Sequence, residues 1–140
     1  MDRKLQVLVV EDHAGVRDVL ERMVESWADV DLISCNGFLG ATQWMQQTAQ
    51  IDLLLCDVCL PEGMSGIELA EIAVRTHPNV VIVMTSADAR SSVPRFCDRY
   101  GFVRKPYGRD TLIKEIDQAF IELGLRDAHG AIIVTQEGLA

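Results

Sequence analysis

The chain has 140 residues, 49% of them hydrophobic, which is enough apolar surface for one packed core and too little for two, so one domain is expected. Thirteen Lys and Arg against twenty-one Asp and Glu leave a net charge of −8, which argues against a phosphate-tracking basic surface and hence against direct nucleic-acid binding. No apolar run reaches the roughly 18 to 20 residues that cross a bilayer, and acids follow the start MDRKLQVLVVEDH too soon for a signal peptide, so a cytoplasmic protein without a membrane partner is expected.

Apolar runs rich in β-branched residues alternate with helix-period segments, the pattern of a doubly wound α/β fold whose parallel sheet is covered by helices on both faces. Strands are predicted over 5–10, 30–35, 52–57, 80–85 and 101–104. Between the first two, Val16, Leu20, Met23, Val24 and Trp27 share one helical face. Leu39, Trp44 and Met45 mark a second helix, and Ile67, Ala70, Ile72, Ala73 and Val74 a third. In 89–100, Pro94 fits a helix only in its first turn, so a shortened or distorted fourth helix is expected there. Leu112, Ile113, Ile116, Phe120 and Leu123 mark the last helix, which Gly124 stops. The alternating strands and helices account for about residues 5–123, within a domain placed at 1–123. The tail 124–140, with its apolar triplet Ile132 to Val134, reads as a linker or an extra edge or dimer element.

The four cysteines (Cys35, Cys56, Cys59, Cys97) lie in apolar runs with no His at zinc-ligand spacing, so free buried thiols are expected. Cys56 and Cys59 form a C-x-x-C that straddles a strand end instead of opening a helix, which argues against redox chemistry. His13, His77 and His129 read as exposed, and Trp27 and Trp44 as packing residues.

In open α/β sheets ligands bind beyond the carboxyl ends of the strands. Strand one ends at Glu11 and Asp12, strand three at Asp57, strand four at Thr85 and Ser86, and strand five runs into Lys105 and Pro106. Solvated loop acids and helix caps are the plain alternative for any one of these, but independent caps have no reason to end three neighbouring strands. Three convergent carboxylates repel, so they need a cation, met by Lys105 and a hard divalent ion such as Mg²⁺, with Mn²⁺ as a substitute. A carboxylate so neutralised can attack a phosphoryl group.

In this order and spacing the motifs V-V-E-D-H, C-D-V-C-L-P-E-G-M-S-G, V-I-V-M-T-S-A-D and V-R-K-P-Y resemble the receiver domain of two-component response regulators over about residues 5–123. The resemblance implies a flavodoxin-like five-stranded sheet in the order 2-1-3-4-5 and makes Asp57 the phosphoacceptor. It further implies Mg²⁺ held by Glu11, Asp12, Asp57 and the backbone carbonyl of Cys59. Lys105 would bind phosphoryl oxygens, with a cis peptide before Pro106. Ser86 is the favoured switch hydroxyl, with Thr85 the alternative, because adjacent strand residues face opposite ways and only one can serve. Phe102 matches the aromatic switch position and reads equally as a core Phe.

Two departures stand out. The loop from Pro61 to Gly66 is one residue longer than the commonest form, as in receivers resembling those attached to hybrid sensor kinases. Lys105 follows Ser86 by only 19 positions, and the shortening falls on the fourth helix, which places the family's usual dimer and output face in question. The expected function is a phosphorelay switch, not an enzyme in its own right, that assists its own phosphotransfer and dephosphorylation. Its partners would be a sensor histidine kinase or phosphotransfer protein and an output protein, with a homodimer as an option. The alternatives are a receiver-like interaction module that is never phosphorylated, and a cofactor binder or aspartyl phosphatase of the same topology. Against the last two stand the acidic E-D-H-A-G loop and Cys59 where a phosphatase needs a second acid.

Overall fold

The computed structural model describes residues 4–124. The chain alternates β1 (Leu5–Val10), α1 (Ala14–Trp27), β2 (Val30–Cys35), α2 (Phe38–Gln47), β3 (Leu53–Asp57), α3 (Gly66–Thr76), β4 (Val81–Ser86), β5 (Gly101–Arg104) and α4 (Arg109–Glu122). All five strands pair in parallel in the order β2-β1-β3-β4-β5. The doubly wound fold with helices on both faces therefore stands as expected, with β3 beginning one residue later and β4 shifted by one residue. The questions raised by residues 125–140, including the Ile132 to Val134 triplet and His129, lie outside the described residues.

Burial explains the strand sequences. The central strands β3 and β4 are buried at every position and can be uniformly apolar, whereas the edge strand β2 alternates exposed and half-buried positions. One core layer packs α1 and α4 against Val7, Val9, Leu53, Leu55, Val81 and Val83. The opposite layer packs α2 and α3 against Leu8, Val10, Leu54, Cys56, Ile82 and Met84. This strict alternation fixes which way each strand-end side chain points.

Local signals set the helix ends. His13 Nδ1 accepts the Val16 amide and caps α1, and Ser65 Oγ accepts the Ile67 amide and caps α3. Gly124 adopts φ 75° beyond α4, and its amide donates to the Ile121 carbonyl. Trp27 packs on Phe120 at 5.7 Å between ring centroids, and its Nε1 donates to Asp117 Oδ1, clamping α1 to α4. Asp52, fully buried, accepts the Gln6 amide at 2.7 Å and closes the opposite end of the sheet.

The expected fourth helix is reduced to a 3-10 turn, Arg90–Ser92. Pro94 lacks an amide donor and Arg95 sits at φ 60°, so no helical hydrogen-bond series can cross this stretch. Two aromatics fill the space instead. Phe96 meets Tyr100 and Phe102 edge-on at 5.7 and 5.5 Å. The four cysteines are free, but only Cys56 is buried; Cys35 is half-buried, and Cys59 and Cys97 are exposed, which corrects the expectation of buried thiols. His77 is likewise half-buried, with Nε2 3.2 Å from the Met45 carbonyl oxygen.

The Trp27–Phe120 contact carries a stability prediction. Phe120 has no exposed surface, so Phe120→Ala should cost about 3–5 kcal/mol in urea-induced unfolding.

Candidate functional site

The chain leaves β1 to one side of the sheet for β2 and returns on the other side at β3, so a crevice opens between the carboxyl ends of β1 and β3. Glu11 and Asp12 follow β1, Asp57 ends β3, and Lys105 follows β5. Carboxylate oxygens of Glu11, Asp12 and Asp57 all lie within 4.8 Å of one another. Lys105 Nζ donates to Asp57 Oδ2 at 2.7 Å and to Glu11 Oε1 at 3.2 Å. Asp12 is exposed, whereas Glu11 is 2% exposed and Asp57 8%. Burial acts to lower the pKa of Lys105, but hydrogen bonds and charges from Asp57 and Glu11 outweigh it and hold the ammonium above the usual lysine value.

The backbone around these groups is tied from several sides. Arg17 Nη1 donates to the Glu11 carbonyl at 2.8 Å, and the His13 amide donates to Glu11 Oε2 at 3.1 Å. Asp57 Oδ1 accepts the Cys59 amide at 3.4 Å. A Cβ at Gly66 would stand 2.0 Å from the Asp57 carbonyl oxygen, while the Gly66 amide donates to the Val58 carbonyl at 2.7 Å. Only glycine lets α3 begin this close to β3. From the sequence Gly66 reads as a helix opener; its role beside Asp57 appears only once strand and helix are packed. Arg17 gives no sequence signal, because its interaction is with a carbonyl.

The two candidate hydroxyls separate by face. Thr85 pairs in register with Asp57, and both continue the alternation of the α1 and α4 face; Ser86 continues that of the opposite face. Both are 2% exposed, and Ser86 Oγ accepts the Asp88 amide at 3.0 Å, capping the turn after β4. The register thus places Thr85, and not Ser86, on the Asp57 side of the sheet. Phe102 is half-buried on β5, edge-on to Phe96. The Lys105–Pro106 peptide bond is cis.

Three carboxylates against one ammonium leave a net negative cluster of hard oxygen donors. That donor set could hold a metal ion through one oxygen each of Glu11, Asp12 and Asp57. The Cys56 thiol does not compete: burial first, then the charges of Asp57 and Glu11, push its pKa well above the usual thiol value.

A family model described as the response regulator receiver domain matches residues 7–117. The chain belongs to that family. Among curated relatives, this receiver is 31% identical over 90 residues to a protein-glutamate methylesterase/protein-glutamine glutaminase of Thiobacillus denitrificans, covering 64% of this chain and 25% of that one. It is 28% identical over 93 residues to the response regulator UvrY of Escherichia coli, covering 64% of this chain and 41% of that one. The receiver thus spans well under half the length of these relatives. Among solved structures, a response regulator receiver protein from Sinorhizobium medicae superposes with a TM-score of 0.76 at 19% identity, covering 86% of this chain and 98% of that one. The PhyR receiver domain of Erythrobacter litoralis gives 0.71 at 25% identity, covering 84% and 91%. Among the described residues, no helix is long and apolar enough to cross a membrane.

Two predictions follow from this packing. Gly66→Ala forces a Cβ against the Asp57 backbone and should cost about 3 kcal/mol in chemical denaturation, displacing Asp57 as well. Tyr107, beside the site, has its pKa pushed up to about 12, by burial first, with Glu11 and Asp57 adding to the rise and Lys105 opposing it. In the unfolded chain a tyrosine titrates near about 10. The folded state therefore holds a proton that the unfolded state releases, and stability should fall as pH rises from about 10 to about 12. The raised Lys105 acts in the same direction, its contribution present below the unfolded pKa and lost as pH rises through the folded one. Tyr107→Phe should remove the tyrosine part of that slope in unfolding measured against pH.

Proposed function

We propose that this receiver is a phosphorelay switch in which Asp57 accepts a phosphoryl group from a phosphohistidine on a histidine kinase or phosphotransfer protein. The observation that carries the reading is the cluster of three carboxylates bridged by Lys105, which hydrogen-bonds two of them. Such a cluster has no structural purpose that apolar residues would not serve better, because buried like charges cost stability. A receiver fold used only for constant binding has no need of it.

In the proposed transfer an Asp57 carboxylate oxygen bonds to phosphorus as the P–N bond to the donor imidazole breaks. The electron pair leaves with the imidazole nitrogen, which is protonated, and an acyl phosphate remains on Asp57. Glu11, Asp12, Asp57 and the Cys59 carbonyl would hold Mg²⁺, which offsets negative charge on the transferring phosphoryl oxygens. Lys105 exchanges its hydrogen bond to Asp57 for one to a phosphoryl oxygen, a positioned ammonium where charge accumulates. The same groups assist water in removing the phosphoryl group, so the switch resets itself. Thr85 is the hydroxyl proposed to follow the phosphoryl group and Phe102 the aromatic that responds. Residues 1–123 carry this unit.

The phosphodonor's docking surface is proposed on α1 beside Lys105. Val19 is 50% exposed and Val16 37%. With Met23, Pro106 and Tyr107 they border an apolar groove of about 370 Å³. Exposed β-branched residues on a charged helix, next to the site itself, fit a protein surface better than water.

Incubation with Mg²⁺ and acetyl phosphate should add one phosphoryl group in intact-mass spectra, and Asp57→Asn should abolish it. Failure with several donors, together with no Mg²⁺ binding, would reject the switch and favour the constant-binding module. Val19→Glu should slow transfer from a partner kinase by about tenfold, from the lost apolar contact and a buried charge, while leaving acetyl phosphate labelling unchanged.

A further inference from the structure

A second cleft opens on the other side of the sheet from the α1 groove. It has a volume of about 820 Å³ and lies between the start of α2 and the loop from β3 to α3. The two walls meet at Gly37, where a Cβ would stand 4.0 Å from Pro61 Cδ. Leu39, on the α2 wall, is 69% exposed, more than any other large apolar side chain among the described residues. Half-buried Phe38 and Met64 extend the apolar surface from either wall. The charged residues that border the cleft, Asp12 and Glu62, are both exposed acids. A tight turn presents Glu62: its φ is 64° and that of Gly63 72°, and the Leu60 amide donates to the Met64 carbonyl at 3.0 Å across the loop. α2 begins after Gly37 with no side-chain cap, so the first-turn amides of Phe38, Leu39 and Gly40, which border the same cleft, lack helical acceptors.

We infer that this cleft is a docking site for an extended segment of a partner protein that pairs a lysine or arginine with an apolar side chain. The apolar side chain covers Leu39, the cation pairs with Glu62 and Asp12, and backbone carbonyls of the segment accept from the open amides of α2. A neutral carbonyl suits those amides, where an anion would face the two acids. The same acids decide the occupant. Nucleic acid and acidic segments meet like charge on both walls. A second copy of this chain brings a net charge of −8, and residues 125–140 of the chain itself carry one arginine against two acids. A basic segment meets complementary charge and covers the apolar surface as well. Because α1 and α2 pack on opposite faces of the sheet, a partner held here leaves the α1 groove open to a phosphodonor. The binding does not rest on the phosphorylation reading.

The test is titration of the full chain with short fluorescent peptides that set one leucine among lysines, serines or glutamates, read by anisotropy and by amide chemical-shift changes. The lysine peptide should bind about tenfold more tightly than the serine peptide, and the glutamate peptide should not bind. Shift changes should map to residues 36–43 and 61–64. Leu39→Ser with Glu62→Lys should weaken lysine-peptide binding by about tenfold and leave circular dichroism unchanged, since both side chains are exposed. Val19→Glu, in the α1 groove, should leave it unaltered. The inference is overturned by no binding, by equal binding of the lysine and glutamate peptides, by equal binding to the doubly substituted chain, or by shift changes centred on α1 or on residues 87–104. Self-association that Leu39→Ser abolishes would put a second copy in the cleft and overturn it too. Acetyl phosphate labelling in parallel keeps the two readings apart: its absence in the unaltered chain rejects the switch and leaves the peptide result standing.

Discussion

Lys105 holds the site together. Glu11 and Asp57 are both almost out of water, and one ammonium hydrogen-bonds both, with the His13 and Cys59 amides adding one bond to each. That ammonium comes from the far end of the sheet order relative to β1, so its reach depends on β3 and β4 lying between them in register. The remainder of the fold can be read as the means of delivering one cation to two anions. The buried apolar strands give rigidity, the tether from the Lys105 amide to the Ser86 carbonyl at 2.8 Å fixes where β5 ends, and Gly66 lets α3 close beneath Asp57.

This arrangement leaves a surplus of negative charge that a divalent cation would offset, and on the proposed reading only that cation and Lys105 make room for an anionic phosphoryl group. Metal binding and phosphoryl transfer, as proposed, would then act on one electrostatic imbalance. The exposed valines on α1 lie next to the same centre, whereas the aromatic run from Phe102 through Phe96 leads away from it across β5. Input and output would then occupy different sides of one small sheet.

Much of this was legible in the sequence, because apolar runs and helix periods are dictated by burial. All five strands and four α-helices lie where those patterns put them, and Glu11, Asp12, Asp57 and Lys105 could be named because strand ends share one edge. What escaped depended on relations between elements. Parity along β4 cannot decide between Thr85 and Ser86 until the register with β3 is known. Pro94 signalled a weak helix, but not that Phe96 and Tyr100 would fill its place. Nothing in the string marked Arg17 or showed that His13 caps α1, since both act on backbone groups.

Where the fourth helix is missing, the chain departs from the sheet after Ser86 and rejoins it at Gly101, with Arg99 pinned to carbonyls at the start of β4. The segment between is fastened at both ends, by Arg99 and by the Lys105 amide on the Ser86 carbonyl. Changes of sequence or length between those anchors leave Glu11, Asp12, Asp57 and Lys105 on their own strand ends. On the proposed reading, partner choice and phosphoryl transfer would be free to evolve separately, so that duplicated copies of such a receiver acquire new clients while keeping the same trigger.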